Sequence, residues 1–186
     1  MASVLVPLAE GFEEIEAVSI IDVLRRGGVE VTTAYLFNRE VNGANGITVV
    51  ANISIDDVVA EEYDMIVLPG GIPGAEHLRD DERVQKLLRI FDDKQKRVGA
   101  ICAAPIALDA AGVLGDDDQF TCYPSYDKQI THGHFTDAQK VVKSGNVLTS
   151  RGPGTAICFG LAIVRELVGE ETYTQLKAGL LADYCE

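Results

Sequence analysis

A strand-to-helix junction decides the fold, and its sequence is Gly99-Ala100-Ile101-Cys102-Ala103-Ala104-Pro105-Ile106-Ala107. The apolar run 98–101 predicts a short buried strand, and the alanine-rich stretch 103–111 predicts a helix. Pro105 agrees with this prediction, because proline is tolerated in the first turn of a helix. Cys102 therefore lies on a tight turn, where the free N–H groups of the helix start favour a thiolate nucleophile. The alternative is that Cys102 is a small buried apolar residue, as isolated cysteines commonly are.

Strands and helices alternate along the rest of the chain. The segment 3–8 predicts a strand, 14–26 an amphipathic helix and 29–34 a β-branched strand, which together form a βαβ unit with a right-handed crossover. The other predicted elements are a strand or hairpin arm at 47–50, a short helix at 56–62, a strand at 64–68, a helix at 80–96, a hairpin over 141–149 and helices at 156–168 and 170–181. This order predicts an α/β fold, with a doubly wound, mostly parallel sheet sandwiched by helices in one domain over 1–186.

Composition excludes several classes of partner. The net charge is -13, with only 16 Lys and Arg residues, so we expect no nucleic-acid partner. No apolar run reaches the roughly 18 residues of a membrane span, and no signal sequence is visible. We therefore expect no membrane association and a cytoplasmic location.

The four cysteines lie far apart and form no CxxC pair, so we expect no metal site. A chain this long and apolar needs no disulfides, and a cytosolic chain keeps its thiols reduced. We therefore expect four free thiols, which are Cys102, Cys122, Cys158 and Cys185. Phosphate-binding glycine motifs are also absent, so we expect no nucleotide cofactor.

Three strand ends carry the candidate chemistry, because such ends meet at one crevice of a doubly wound sheet. They bring Glu16, the pair Gly70-Gly71 and Cys102. The backbone N–H groups of Gly71 and Ala103 could stabilise an oxyanion formed when the cysteine attacks a carbonyl. The alternatives are that Glu16 is one of several acids favoured in a first helical turn, and that the glycine pair is only a turn.

A cysteine nucleophile often uses a histidine base. Three histidines occur, and His134, in the long polar loop 122–137, is better placed than His132 to approach the crevice. The alternative is a hydrogen-bonded loop histidine with no role. We expect His77 to be solvent-exposed.

Four segments in this order carry a family resemblance: Gly11-Phe12-Glu13-Glu14-Ile15-Glu16-Ala17, Val67-Leu68-Pro69-Gly70-Gly71, Ala100-Ile101-Cys102-Ala103-Ala104-Pro105 and Leu148-Thr149-Ser150-Arg151-Gly152-Pro153-Gly154-Thr155. The chain resembles the DJ-1/PfpI family over nearly its whole length, and in particular the YajL-like branch that includes the parkinsonism-associated human member. The resemblance implies a flavodoxin-like homodimer in which Cys102 is reactive and oxidisable. It also implies that Glu16 is a protonated carboxyl hydrogen-bonded to the sulfur.

The resemblance implies roles for further residues as well. Gly71 and Ala103 would supply backbone donors, and Arg26 and Arg151 would brace the site or the dimer. The residues expected to line the substrate pocket are Gly70, Tyr123, His134 and Arg151. This sequence has Tyr123 and Gly46 where the human member has histidine and arginine, so a Cys-His proton relay and proteolysis are not expected, and proton transfer falls to Glu16.

The activity that the resemblance implies is that of a cofactor-independent glyoxalase and protein deglycase. Its substrates would be methylglyoxal, glyoxal or the adducts that they form on proteins. The alternative is an oxidative-stress redox sensor or chaperone, whose cysteine is oxidised to sulfinic acid. A glutamine amidotransferase is set aside, because it requires a late His-x-Glu pair and no histidine follows His134.

Overall fold

Seven strands form one sheet in the computed structural model, which describes residues 1–186. In chain order the strands are β1 (Ser3–Leu8), β2 (Glu30–Tyr35), β3 (Glu40–Asn42), β4 (Thr48–Val50), β5 (Ile53–Ser54), β6 (Met65–Leu68), β7 (Arg97–Ile101), β8 (Gln119–Phe120), β9 (His134–Phe135), β10 (Val141–Ser144) and β11 (Val147–Ser150). The α-helices are α1 (Glu14–Arg26), α2 (Gly74–Asp80), α3 (Glu82–Asp93), α4 (Pro105–Ala111), α5 (Ala156–Leu167) and α6 (Glu170–Gly179).

The main sheet has the order β10-β11-β7-β6-β1-β2-β5, and only the β10–β11 pair is antiparallel. The helices pack in two groups, with α1, α5 and α6 in one and α2, α3 and α4 in the other. The predicted α/β class with a mostly parallel, helix-flanked sheet is therefore confirmed. Every residue of β6 is buried. A central strand of a parallel sheet is covered on both faces, and its sequence is therefore a continuous apolar run.

Two helix predictions need correction. The helix predicted over 80–96 is α3, which is shorter and spans Glu82–Asp93, and the helix before it, α2 (Gly74–Asp80), was not predicted. Asp81 separates the two helices: its backbone is extended, and its side chain accepts hydrogen bonds from the N–H groups of Arg83 and Val84 as the N-cap of α3. The predicted helix at 56–62 consists of two short 3-10 turns, Ile55–Asp57 and Ala60–Glu62.

The prediction of four free thiols is wrong. Cys158 in α5 and Cys185 near the end of the chain form a disulfide, with their Cα atoms 5.1 Å apart. After α6 the last residues fold back onto α5, a return that cysteine spacing does not reveal. Cys102 and Cys122 are the free thiols.

No helix of the structure combines the length and the apolar character that a bilayer-spanning segment needs.

Candidate active site

Cys102 follows directly after β7, with a backbone φ of +65°. A non-glycine residue in this region is strained by roughly 1–3 kcal/mol, so the surrounding structure must impose the conformation. Two hydrogen bonds do so: the Cys102 N–H donates to Ser150 O at 3.0 Å, and Tyr123 N–H donates to Cys102 O at 2.9 Å. The residue is 9% exposed and belongs to the buried core cluster, so only a small part of it is accessible to solvent.

Glu16 lies beside Cys102, although it belongs to α1, almost ninety positions earlier in the chain. It is completely buried, and it lies in the first turn of α1, as the alternative also expects. Its Oε2 accepts a hydrogen bond from Gly70 N–H at 2.8 Å. Its Oε1 is buried without a standard hydrogen-bond partner, so this oxygen is suited to carry a proton directed at the neighbouring sulfur.

Burial raises the pKa of Glu16 to about 7, while hydrogen bonds with Cys102 and the Gly70 N–H act in the opposite direction. Burial and the adjacent Glu16 charge also raise the pKa of the Cys102 thiol, and the N–H groups of Gly71 and Ala103 lower it. The N–H groups at the helix start thus act in the expected direction, toward the thiolate, and burial and the Glu16 charge oppose them. The carboxyl and the thiol titrate as a pair that retains one shared proton above about pH 7.

The glycine pair after β6 is required by close packing. A Cβ on Gly70 would lie 2.6 Å from Cys102 Cβ and 2.7 Å from Glu16 Oε2. Gly71 has a φ of +91°, and a Cβ there would lie 2.3 Å from Glu13 N. The Gly70 backbone therefore packs against Cys102 and Glu16 with no room for a side chain. The Gly71 N–H donates to the Cys102 sulfur.

The structure thus brings together Cys102, Glu16, Gly70, Gly71 and Ala103. They converge because β1, β6 and β7 are neighbours in the sheet, so the segments that follow these parallel strands meet at one edge.

The other predicted pocket residues lie farther out. The Tyr123 side chain is 47% exposed and packs against Gly152, where an added Cβ would be 3.2 Å from the ring. Arg151 lies 3.8 Å from Asp137, and its charge lowers the pKa of Cys122, which burial raises to about 12.

The histidines and Arg26 lie elsewhere. His134 is exposed in β9, paired with Gln119, and makes no hydrogen bond to the groups around Cys102. His132 bonds to Asp109 at 2.8 Å, and Arg26 pairs with Asp22 at 2.7 Å. His77 is exposed, as expected, and its Nδ1 lies 3.1 Å from the backbone carbonyl oxygen of Glu10. A histidine relay therefore has no support in the geometry.

Tyr126 and Glu76 were not predicted from the sequence to lie near the site. The rings of Tyr126 and Tyr123 are 6.4 Å apart at 71°. Burial raises the pKa of the Tyr126 phenol, as do the nearby charges of Glu76 and Cys102. The tyrosine spacing in the long loop was the available signal for Tyr126, whereas nothing distinguished Glu76 from other helix acids.

A sequence model of the DJ-1/PfpI family matches residues 2–166. The chain is similar to "Protein dj-1beta" of Drosophila melanogaster, with 40% identity over 184 residues that cover 98% of both chains. It is also similar to "Glutathione-independent glyoxalase DJR-1.2" of Caenorhabditis elegans, with 37% identity over 97% of this chain and 96% of the relative.

Solved structures agree. The crystal structure of the Drosophila melanogaster protein superposes with a TM-score of 0.92 at 39% identity, covering 97% of each chain. A structure described as "Toxoplasma gondii DJ-1, oxidized" superposes with a TM-score of 0.90 at 38% identity, covering 97% of this chain and 98% of that one.

Proposed function

The chain belongs to the DJ-1/PfpI family, and from that premise we propose that it is a cofactor-independent glyoxalase and protein deglycase with Cys102 as its nucleophile. The observation that carries this proposal is the buried Glu16 carboxyl, whose unpartnered Oε1 lies beside the Cys102 thiol. The name of the Caenorhabditis elegans relative supports glyoxalase activity within the family. The substrates that we propose are methylglyoxal, glyoxal and their adducts on proteins.

In the first step, the reactive form of the pair has its single proton on Glu16 and a thiolate on Cys102. The sulfur adds to the aldehyde carbon of methylglyoxal, so a C–S bond forms while the carbonyl π bond opens onto oxygen. The new alkoxide accepts hydrogen bonds from the N–H groups of Gly71 and Ala103 and takes the proton from Glu16. The product is a hemithioacetal, and Glu16 is left as a carboxylate.

In the second step, Glu16 acts as base and then as acid. Its carboxylate removes the hydrogen of the hemithioacetal carbon as a proton, and the electron pair forms an enediolate whose charge lies on the oxygen of the neighbouring carbonyl carbon. Glu16 returns its proton to that second carbon, the hydroxyl proton of the first carbon passes to the oxygen of the second, and the first carbon becomes the carbonyl of a lactate thioester with no net change in oxidation state.

Water then attacks the thioester, the C–S bond breaks, lactate leaves and the Cys102–Glu16 pair regains its starting state. Glyoxal gives glycolate by the same sequence. A dicarbonyl held as an aminocarbinol on a protein side chain enters this sequence after its C–N bond breaks and the amine leaves with a proton.

The test is lactate formation from methylglyoxal by the wild type and by Cys102→Ser. The matched control is Cys122→Ser, which removes the other free thiol, a fully buried one. Cys102→Ser should lose at least about 10²-fold in kcat, because removal of a nucleophile abolishes the covalent route, and Cys122→Ser should retain turnover. Turnover retained by Cys102→Ser would refute the proposal.

A second candidate function is favoured by the exposure of the two free thiols. Cys102 is 9% exposed and Cys122 is 0% exposed, so an oxidant reaches Cys102 first. Two equivalents of peroxide would convert its thiolate to sulfinate with loss of two waters, and the Glu16 proton would hydrogen bond to the product. This reading makes the protein a redox sensor or stress chaperone. It requires mass spectrometry to find two added oxygens on Cys102 and none on Cys122 after mild peroxide treatment.

We also propose a homodimer and a cytoplasmic location. Four exposed apolar side chains, on α1 and around β4, could bury one another between two copies: Ile15 at 58%, Val18 at 48%, Ile47 at 57% and Val50 at 57% exposure. Analytical ultracentrifugation of Val18→Lys should show monomers where the wild type shows dimers.

The proposed cytoplasmic location is tested by cell fractionation. The Cys158–Cys185 disulfide is a feature that a reducing cytoplasm disfavours, so recovery of the protein outside the cytoplasmic fraction would refute this location.

A further inference from the structure

A short tail, residues 182–186, is fastened to helix α5 by the Cys158–Cys185 disulfide. Only two of its five residues are buried. Apart from the disulfide, the tail has a hydrogen bond in which the Tyr173 hydroxyl donates to Glu186 O, and few other contacts. A segment with so little buried surface opens readily once its covalent link is cut. The disulfide therefore decides whether the tail stays in place.

A cavity of about 240 Å³ gives access to this bond. It is lined by residues of strands β10 and β11, helix α5 and the tail, and Cys158 is among them while Cys185 is not. Both cysteines are otherwise buried, at 4% and 3% exposure. A thiolate that enters the cavity therefore meets Cys158 Sγ, and Cys185 is the group that leaves.

Cations outnumber acids in the lining of this cavity. Its charged members are Lys140, Lys143, Arg165, Glu166 and Glu186. The Arg165 guanidinium is paired with Glu170 at 3.0 Å. The Lys140 ammonium lies 3.7 Å from the Glu186 carboxylate, which is the only acid within ion-pair distance of it. The partner of Lys140 is thus carried by the tail itself.

Opening the disulfide makes the cavity more positive. Glu186 departs with the tail, so Lys140 is left without an acidic partner. Glu166, the acid that remains in the lining, is shared by two cations, Lys143 at 2.7 Å and Arg97 at 3.3 Å. An anion that takes the place of the Glu186 carboxylate restores the lost charge pairing.

We propose that Cys158 is a thiol-exchange site, which accepts an anionic low-molecular-weight thiol such as a thiol peptide with free carboxylates. The incoming thiolate forms an S–S bond with Cys158 Sγ while the bond to Cys185 breaks. The electron pair of the broken bond leaves on Cys185 Sγ, which takes a proton from water, so no further oxidant or reductant is needed. The tail is then free, and the anionic group of the thiol lies beside Lys140. Cys102 does not line this cavity, so the exchange is separate from the chemistry proposed above.

The test compares three small thiols of different charge: mercaptoethanesulfonate is an anion, mercaptoethanol is neutral and cysteamine is a cation. Each is mixed at the same concentration with the oxidised protein, and acid-quenched samples are mapped by non-reducing peptide mass spectrometry. Yields are divided by those with a small neutral disulfide, which removes intrinsic differences between the thiols. The mixed disulfide should form on Cys158, and the anion should give about fivefold more of it than the neutral thiol, the size of one favourable exposed ion pair. The cation should give the least.

Lys140→Gln should remove most of this preference. The matched control is Lys86→Gln, which removes an exposed lysine from helix α3 and should keep it. A general surface effect would have the opposite sign, because a chain with a net charge of -13 repels anions.

Four results would overturn the proposal. They are equal yields for the anionic and neutral thiols, an unchanged preference in Lys140→Gln, a mixed disulfide on Cys185 in place of Cys158, and absence of the disulfide from the oxidised protein. None of them depends on turnover of methylglyoxal, so loss of the exchange site and loss of the proposed activity are distinguishable.

Discussion

Replacing Glu16 by Gln should stabilise the protein at alkaline pH and leave its stability in acid almost unchanged. Glutamine keeps the shape of the side chain, and its amide oxygen can still accept the Gly70 N–H bond that Glu16 Oε2 accepts at 2.8 Å. It removes only the requirement to bury a negative charge. The variant therefore isolates the cost of ionising a carboxyl that is completely buried.

The magnitude follows from the pKa of Glu16, which burial raises from 4.5 to about 7. Between these two pH values the folded protein retains a proton that the unfolded chain has released, so the free energy of unfolding falls as pH rises. The loss is about 1.4 kcal/mol per pH unit, or about 3 kcal/mol over the whole window. The contribution is fully present below pH 4.5 and is gone above about pH 7. Glu16→Gln should not show this loss.

The assay is urea denaturation of the wild type and the variant at pH 5 and pH 8, with the free energy of unfolding taken from linear extrapolation. Other titrating groups cancel in the difference between the two proteins. The control is Glu30→Gln, which changes an exposed carboxyl of β2 and should give the same small difference at both pH values. A Glu16→Gln difference that is also the same at both pH values would show that the pKa of Glu16 is not raised by burial.

Three further outcomes follow from packing and chain connectivity. Gly70→Ala should lose methylglyoxal turnover in a lactate assay while remaining folded by circular dichroism, because its Cβ would lie 2.6 Å from Cys102 Cβ; wild-type turnover would contradict this. Cys185→Ser opens a disulfide whose cysteines are 27 positions apart, and should lower the free energy of unfolding by about 3.5 kcal/mol relative to the oxidised wild type, with no loss if the bond does not form. Asp81→Ala removes the cap that accepts the N–H groups of Arg83 and Val84 and should cost about 1–2 kcal/mol in urea titrations; an unchanged midpoint would show that the cap is not needed.

Local patterns in the sequence are sufficient for most of the fold. The apolar run before Cys102 and the alanine stretch after it predict the turn from β7 to α4, and Gly112 ends the helix in the left-handed conformation with a φ of 75°. The β-branched and apolar runs likewise predict the parallel strands. These features depend on residues close together in the chain, which is why periodicity alone identifies them.

Features that depend on distant segments or on competing effects were not predictable in this way. The pairing of Cys158 with Cys185 requires the chain end to fold back after α6. The protonation of Cys102 depends on whether burial or two backbone amides dominate, and burial is a property of the folded chain.

The most direct test of the central claim, that Cys102 and Glu16 share one proton, is the pH dependence of Cys102 alkylation by iodoacetamide, followed by peptide mass spectrometry in the wild type and in Glu16→Gln. In the wild type the rate should rise through a midpoint near pH 7, where Glu16 titrates, and then level off, because the fraction of thiolate is set by the shared proton. In Glu16→Gln the rate should continue to rise with pH without that plateau. Identical profiles for the two proteins would contradict the claim.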